Sequence, residues 1–350
     1  MRKRAGIALI NLIWIMIVVS MLTGCGNREN NYIINVSYDP TRELYESYNQ
    51  LFTLHWKETT GKDIEIIQSH GGSGKQALEV ANGLEADIVT LALEADITSI
   101  ENAGLINPGF VEEFACDSSP YTSTIIFLVR QGNPKEIKDW DDLLREDVGV
   151  ITPNPKTSGG ARWNYLAAWY YFETRGESEE TILKDMKTLY SHVKVLDSGA
   201  RASTTSFVEN GQGDVLLAWE NEAFLTLQEY PGQYEIVIPS VSILCQPTVA
   251  IVDEMVEKHN TEAVVTEYLR YLYSDEAQKL VGENFYRPTN GEITKQFILK
   301  SKNRTITDVP TDGKWLIDNI DLTDINHFGG WDKTTEIHFA TDGYFDGIYE

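Results

Sequence analysis

One stretch of this chain, residues 153–165, joins a short strand to a helix through small residues, and it constrains the fold more than any other. An apolar run at 148–151 predicts the strand, and two prolines end it in a turn. Thr157 or Ser158 can then cap the helix, whose inward face is apolar and aromatic. The stretch therefore predicts one strand–turn–helix unit of an α/β protein.

The two glycines of this turn, Gly159 and Gly160, bear on what the unit could bind. Without side chains, their backbone N–H groups can approach a ligand closely. Unpaired N–H groups and the positive end of a helix dipole together favour an anion. Taken alone, the turn is equally compatible with an ordinary capped helix that binds nothing.

The same arrangement of strand, small residues and helix occurs four times in the chain. Helix N-termini that follow parallel strands can converge on one edge of a sheet. Trp219 closes another predicted strand, and its indole N–H can donate a hydrogen bond but cannot accept one. The four turns lie at 38–40, 71–74, 158–160 and 197–203.

Strands alternate with helices along the chain, which predicts the α/β class with mostly parallel sheets. Long strands at 122–129 and 248–252 separate two such sets. We expect two lobes joined by two extended crossings near 117–125 and 241–248, with the ligand in the cleft between the lobes. The predicted divisions are 32–120 plus 246–350 for lobe I and 121–245 for lobe II.

The first 24 residues predict a secretory signal, with a basic start and an apolar stretch at 7–21. They end in Leu-Thr-Gly before Cys25, which resembles a bacterial lipoprotein cleavage site. That resemblance implies cleavage before Cys25, acylation of its sulfur and a polar tether over 25–31. An uncleaved membrane anchor or a free secreted protein is the alternative.

The chain carries a net charge of −24, and removal of the basic signal makes it more negative. Such a field repels nucleic acid and anionic lipid, so we expect neither as a partner. It also repels any anionic ligand, and the four turns would have to overcome this repulsion locally.

Enzyme motifs fail on inspection of the sequence. A P-loop would need glycine at Ser69 and serine or threonine at Gln76. His70 precedes two glycines as in a hydrolase oxyanion loop, but the chain contains no GxSxG and no GxGxxG. We expect no catalytic site and no cofactor, and His70 is interpreted as packing or capping beside its turn.

Beyond Cys25, the chain has two cysteines, Cys116 and Cys245, without zinc-site spacing. Each precedes a predicted crossing. They could form a disulfide outside the cytoplasm or remain two buried thiols, and both possibilities stay open. We expect no metal site.

Eight blocks of the chain are similar to the sulfate-binding proteins of ABC-type uptake systems, in the same order and over nearly everything after residue 31. This resemblance implies a two-lobed, type II periplasmic-binding-protein-like fold. Residues 291–315 diverge from the pattern. The similar blocks are 35–45, 68–76, 85–92, 153–165, 197–201, 218–222 and 284–288, with 328–331 added near the end.

The resemblance further implies one sulfate ion held by neutral donors only, with no cation in contact. The implied donors are the Asp39 N–H, the Ser73 hydroxyl, Ser158, the N–H groups of Gly159, Gly160 and Ala200, and the Trp219 indole. Arg42, Arg162 and Arg201 lie near three turns, and we expect them, with His70, to support the loops rather than touch the ion. Ordinary surface arginines are the alternative.

A pocket of donors suits sulfate, which is fully ionised at neutral pH and only accepts hydrogen bonds. Phosphate retains a proton there, and that proton would have no acceptor, at a cost of roughly 1–3 kcal/mol. The expected partners are a permease and its ATPase outside the cytoplasm, and the expected state is a lipid-anchored monomer. Thiosulfate as the main ligand, or a sensor or adhesin that kept the fold, are the alternatives.

Overall fold

The computed structural model describes residues 31–299, 304–318 and 320–349. The predicted signal peptide, Cys25 and the tether up to residue 30 lie outside the described residues. No helix in the described part of the chain is long and apolar enough to cross a membrane.

Secondary structure follows the predicted alternation of strands and helices. In the first part of the chain the elements are β1 (Tyr32–Tyr38), α1 (Arg42–Thr60), β2 (Glu65–Gly71), α2 (Ser73–Ala81), β3 (Ile88–Leu91), α3 (Glu94–Asn102) and α4 (Phe110–Glu113). They continue with β4 (Tyr121–Arg130), β5 (Val150–Pro153), α5 (Gly159–Thr174), α6 (Glu179–Ser191), β6 (Val193–Asp197), α7 (Ala200–Val208), β7 (Val215–Trp219), α8 (Glu220–Glu229), β8 (Tyr234–Val237) and β9 (Val241–Cys245).

A short helical segment, Ala115–Ser118, precedes β4, and the remaining elements follow β9. They are β10 (Thr248–Ile251), α9 (Asp253–His259), α10 (Glu262–Tyr271), α11 (Asp275–Glu283), β11 (Arg287–Pro288), α12 (Gly291–Phe297), β12 (Thr305–Ile306), β13 (Asp321–Thr323), α13 (Gly330–Thr334) and α14 (Tyr344–Tyr349). A π-helical turn, Thr335–Phe339, follows α13, and short 3-10 turns lie at Asp39–Thr41, Trp140–Leu144 and Ile325–Phe328.

The first lobe is built on a four-stranded sheet with the order β10-β3-β1-β2. Strands β1, β2 and β3 run parallel, and β10 is antiparallel to β3. Tyr38 is paired with Gly71 at the last position of both β1 and β2. Their carboxyl ends therefore share one edge, and the turns at 38–40 and 71–74 lie side by side.

The second lobe is built on a larger sheet whose main path is β12-β8-β4-β7-β5-β6. Strand β5 is parallel to both β6 and β7, so the residues that follow these three strands also meet at one edge. The N-termini of α5, α7 and α8 lie there. The predicted α/β class is confirmed, but the sheets are mixed rather than mostly parallel, because β4 pairs antiparallel with β7, β8, β9 and β11.

The two expected crossings are adjacent in space. Ser123 in β4 pairs with Cys245 in β9, and the Thr124 hydroxyl donates to the Ile243 carbonyl at 2.9 Å. Cys116 and Cys245 are both free thiols, so the possibility of a disulfide is not realised, and only Cys245 is buried. Cys116 also has a positive φ, as do the two residues that follow it before the crossing.

The segment 330–349, which we call the clasp, packs on the second lobe and corrects the expected lobe boundary. The sequence predicts residues 246–350 as part of lobe I, but β12 and β13 pair with β8 and β9 in the sheet of the second lobe. The Trp331 ring lies 4.7 Å from that of Trp163 in α5. Helix α5 is apolar on nearly every side, so the sheet alone cannot bury it and the clasp covers its second face.

Candidate functional site

A small cavity lies between the two lobes, where the strand ends of both sheets face each other. Its volume is about 10 Å³, far below the roughly 300–1,000 Å³ of sites for organic ligands. This size suits a small ion. The lining residues are Tyr38, Asp39, Pro40, Gly71, Gly72, Ser73, Ala92, Ser158, Gly160, Ala200 and Trp219.

The N-terminus of α5 forms one wall, and we call Ser158, Gly159 and Gly160 the anion seat. The Ser158 side chain caps the helix by accepting from the Ala161 N–H at 3.4 Å. Because that bond uses a lone pair, the hydroxyl hydrogen of Ser158 is available to a ligand. The first N–H groups of an α-helix have no partner within the helix, so Gly159 and Gly160 each offer a donor, and of the two Gly160 lines the cavity.

Both glycines are required by crowding rather than by backbone conformation. A Cβ at Gly159 would lie 2.7 Å from the Cβ of Ala92 in the first lobe. One at Gly160 would lie 2.4 Å from Nε1 of Trp219. Neither position has space for a side chain, so the close approach expected from the sequence is present in the structure.

Trp219 supplies the clearest sign that something binds here. Its side chain is 2% exposed, and its indole N–H finds no hydrogen-bond partner among the described residues. A buried donor without a partner costs about 1–3 kcal/mol, so it calls for an explanation. An anion in the cavity would accept this bond. Tyr38 packs against the indole, with ring centroids 5.3 Å apart.

Ala200 completes the second-lobe wall as the first residue of α7, after Gly199. Its N–H is one of the free donors of that helix terminus. A Cβ at Gly199 would lie 2.7 Å from a carboxylate oxygen of Asp39, so the first lobe approaches this turn closely.

The first lobe contributes Asp39 and Ser73, and the structure changes the role predicted for the Ser73 hydroxyl. Ser73 Oγ accepts from the Ala92 N–H at 2.9 Å and donates its hydrogen to the Asp96 carboxylate at 2.5 Å. Because this hydrogen is committed, the donor left for a ligand is the Ser73 N–H at the first turn of α2. Burial raises the pKa of Asp96.

The Asp39 carboxylate accepts hydrogen bonds and cannot donate one to an anion. The Asp39 backbone N–H opens the 3-10 turn at Asp39–Thr41, whereas the carboxylate lies 3.9 Å from Arg42. Burial raises the pKa of this carboxyl, and Arg42 opposes that shift. The group that this turn can offer to an anion is therefore the Asp39 backbone N–H.

Several contacts hold the lobes closed over the cavity. The Trp163 indole N–H in the second lobe donates to the Ala92 carbonyl at 2.9 Å. The Lys75 N–H in the first lobe donates to the Thr157 carbonyl at 3.4 Å. A Cβ at Gly72 would lie 2.6 Å from the Ser198 carbonyl oxygen. The structure is therefore a closed conformation.

The three arginines surround the site without lining the cavity. The Arg201 guanidinium binds Glu43 of the first lobe through both of its carboxylate oxygens, at 2.9 and 2.8 Å. It also binds Glu222 of its own lobe at 2.7 Å. Arg162 donates to the Pro155 carbonyl at 3.0 Å, and Arg42 is paired only weakly with Asp39.

His70 lies under the first-lobe turn, within hydrogen-bond distance of the Ser37 hydroxyl at 2.9 Å. Burial lowers its pKa to about 4, so the ring is neutral near pH 7. It does not line the cavity. Within the described ranges, no group of three histidine, cysteine or acidic side chains could hold a metal ion.

Sequence reasoning missed two residues of this region. Asp96 carries no motif, and Ala92 becomes a wall residue only when the two lobes meet. Tyr38 belongs to the predicted turn at 38–40 and lines the cavity as the last residue of its strand.

Comparisons with known proteins give one consistent result. A family model described as bacterial extracellular solute-binding protein matches residues 39–287. The sulfate-binding protein of Salmonella typhimurium is 52% identical over 321 residues, which cover 90% of this chain and 92% of that protein. A thiosulfate-binding protein of Pseudomonas aeruginosa is 41% identical over 320 residues, with 91% and 92% covered.

A solved structure agrees with these sequence relatives. The sulfate-binding protein SubI from Mycobacterium tuberculosis H37Rv superposes with a TM-score of 0.74 at 28% identity. The match covers 88% of this chain and 99% of that one.

Proposed function

We propose that this chain, which belongs to the bacterial extracellular solute-binding protein family, captures one sulfate ion in the cavity between its lobes. The chain is a binding protein and not an enzyme. The single observation that carries the proposal is the buried Trp219 indole, whose N–H has no partner in the described structure and which lines a cavity of ionic size.

The donor set favours a dianion that bears no proton. Removing a dianion from water is costly unless many charge-assisted hydrogen bonds replace its hydration. Three helix N-termini, at the anion seat, Ala200 and Ser73, supply N–H groups with a fixed positive potential. The cavity thus offsets the net charge of −24 locally without placing a cation against the ion.

Selectivity against protonated oxyanions would follow from the same donors. Hydrogen phosphate would bring an O–H group that needs an acceptor. The buried Asp96 carboxylate already accepts the Ser73 hydrogen, and the Asp39 carboxylate lies 3.9 Å from the Arg42 guanidinium. The unpaired proton would cost roughly 1–3 kcal/mol, which weakens phosphate relative to sulfate by about ten- to a hundredfold.

Capture by closure explains the two-lobed shape. The ion would contact Asp39 and Ser73 on one lobe and the anion seat, Ala200 and Trp219 on the other. A ligand that bridges both lobes stabilises the closed conformation over the open one by its differential contacts. The paired crossings β4 and β9 are the natural hinge, since they are the strands at which the two predicted lobes meet.

The cellular setting follows from the family, whose members work outside the cytoplasm. We infer that the closed protein delivers the ion to an ABC permease driven by its ATPase, and that it acts as a monomer. We further infer that Cys25 is acylated and anchors the chain to the membrane. Metabolic labelling with palmitate should mark the wild-type protein and leave Cys25→Ser unlabelled; equal labelling would exclude this anchor.

Calorimetry with sulfate, thiosulfate, molybdate and phosphate tests the proposed ligand. Sulfate should bind at micromolar concentration or below with one ion per chain, and phosphate should bind at least tenfold more weakly. Binding of phosphate without binding of sulfate would overturn the proposal.

Thiosulfate is the second candidate, because a relative that is 41% identical is named for that ion. Its shape and charge resemble those of sulfate, but one terminal atom is a larger sulfur that accepts hydrogen bonds weakly. Competition between the two ions in the same titration ranks them directly.

A further inference from the structure

The clasp contacts residues on both sides of the anion seat, and its role as a cover for α5 does not require these contacts. Lys156, two residues before Ser158, donates from Nζ to the Phe339 carbonyl at 2.9 Å and to the Ala340 carbonyl at 3.3 Å. The same ammonium pairs with the Asp346 carboxylate at 2.7 Å. One side chain of the turn thus binds three groups of the clasp.

The π-helical turn explains why these carbonyls are available. In Thr335–Phe339 the bond from the Ala340 N–H returns to the Thr335 carbonyl at 2.7 Å, and the helix ends there. The last carbonyls of a helix lack partners within it and carry the negative end of its dipole. Lys156 satisfies them as a cationic C-terminal cap.

A second cation next to the seat is also held by the clasp. Arg162, in the first turn of α5, lies with its guanidinium 5.1 Å from the centre of the Phe339 ring. Its Nε donates to the Pro155 carbonyl, on the other side of the seat. The residues that precede and follow the anion seat are therefore both tied to Phe339.

We infer that Lys156 and Asp346 are positioning residues for the anion seat, which fix its turn to the clasp so that its N–H groups converge on the ion. This inference rests on the proposed function. Neither side chain lines the cavity, so neither touches the ion. Lys156 also lowers the pKa of Asp346 through their hydrogen bond, which is consistent with a formed ion pair.

Positioning and simple electrostatics predict opposite changes in sulfate affinity for one substitution. Asp346→Asn removes a negative charge, so electrostatics alone would tighten binding of a dianion. Loss of positioning would weaken it, because donors that are not preorganised must be ordered on binding. We expect Asp346→Asn to weaken sulfate binding about threefold, and Lys156→Met to weaken it about tenfold.

The experiment measures the sulfate dissociation constant by calorimetry and the unfolding temperature without sulfate, for the same variants. Lys156→Arg should restore affinity to within about threefold of wild type, since a guanidinium can cap the same carbonyls. A merely structural role would lower the unfolding temperature and leave the dissociation constant unchanged.

Lys187→Met is the matched control. Lys187 donates to the Gly347 carbonyl of the clasp at 3.3 Å from α6, on an exposed surface, and does not contact the turn. The substitution removes the same charge from beside the clasp and should leave sulfate affinity unchanged. Wild-type affinity in Lys156→Met, or tighter binding in Asp346→Asn, overturns the inference. Failure of the unaltered protein to bind sulfate would instead overturn the proposed function.

Discussion

The two lobes present donors to the cavity in different ways. The second lobe provides a 16-residue helix whose first turn is the anion seat, a second helix that starts at Ala200, and the Trp219 indole. The first lobe provides one N–H from a three-residue 3-10 turn and one from a nine-residue helix, and the hydroxyl of Ser73 is committed elsewhere. The difference suggests that the second lobe captures the ion and the first lobe closes over it.

Gly160→Ala should produce the largest effect, because it adds a methyl group to the second lobe directly against the Trp219 indole. The new Cβ would lie 2.4 Å from Trp219 Nε1, so the indole must move out of the cavity. We expect about a hundredfold loss of sulfate affinity, measured by calorimetry. Gly291→Ala is the matched control, since a Cβ there meets nothing within 4 Å. Equal affinity in both variants would contradict the assignment of this wall.

Trp219→Phe removes one donor and keeps the ring. A hydrogen bond to a charged group contributes about 1.5–3 kcal/mol, which corresponds to about a ten- to hundredfold change in the dissociation constant. The stability of the ligand-free protein should not fall, because the indole N–H has no partner in the described structure. An unchanged dissociation constant would mean that the indole does not reach the ion.

Ser158→Ala and Ser73→Ala compare the two lobes directly. The Ser158 hydrogen is available, so its loss should weaken sulfate binding about tenfold. The Ser73 hydrogen is held by Asp96, so its loss should weaken binding less than about threefold. Parallel titrations decide the matter, and a larger effect at Ser73 would reverse the assigned roles of the lobes.

Glu43→Gln tests closure rather than capture. It removes the ion pair that joins the lobes and keeps the Arg201 pair with Glu222. Partly exposed ion pairs contribute little, so we expect sulfate release about two- to threefold faster at low salt, and less change at high salt. Stopped-flow release at two ionic strengths measures it. A rate that does not depend on Glu43 would show that the pair is not part of the closing contact.

The smallest effect is expected from two histidines, the half-buried His70 in the first lobe and the buried His338 in the clasp. Burial lowers the pKa of His70 and of His338 in the clasp to about 4, from an ordinary 6.5. The unfolded chain therefore binds more protons between these values, and the stability of the folded state falls as pH drops from about 6.5 towards 4.

The unfolding temperature should fall by a few degrees over that range, and less in His338→Gln. The same slope in His338→Gln and wild type would show that this ring does not contribute. His70→Gln then distinguishes the first lobe from the second.

The sequence allowed prediction of those parts of the candidate site in which backbone N–H groups are the donors. A backbone N–H that must approach an ion closely requires small residues before a helix. Such residues can be read directly from the sequence at Gly159, Gly160 and Ala200. The parallel strands that precede the turns could be predicted for the same reason, since their apolar runs are local.

Long-range contacts could not be predicted in this way. The direction of the Ser73 hydroxyl depends on Asp96, which lies on the next helix, 23 residues away. The position of the clasp depends on which sheet leaves a helix uncovered, and nothing in its own sequence identifies α5. The expected assignment of 246–350 to lobe I was wrong at its end for that reason.

The reliance on backbone N–H groups has a consequence for mutation. A donor that belongs to the main chain is present whichever amino acid occupies the position, so most substitutions cannot delete it. Polar residues, the usual targets when a binding site is to be inactivated, account for few of the proposed donors. The vulnerable positions are those where added bulk displaces the backbone, such as Gly160 and Gly72. Loss of function should therefore arise more readily by gain of a methyl group than by loss of a polar one.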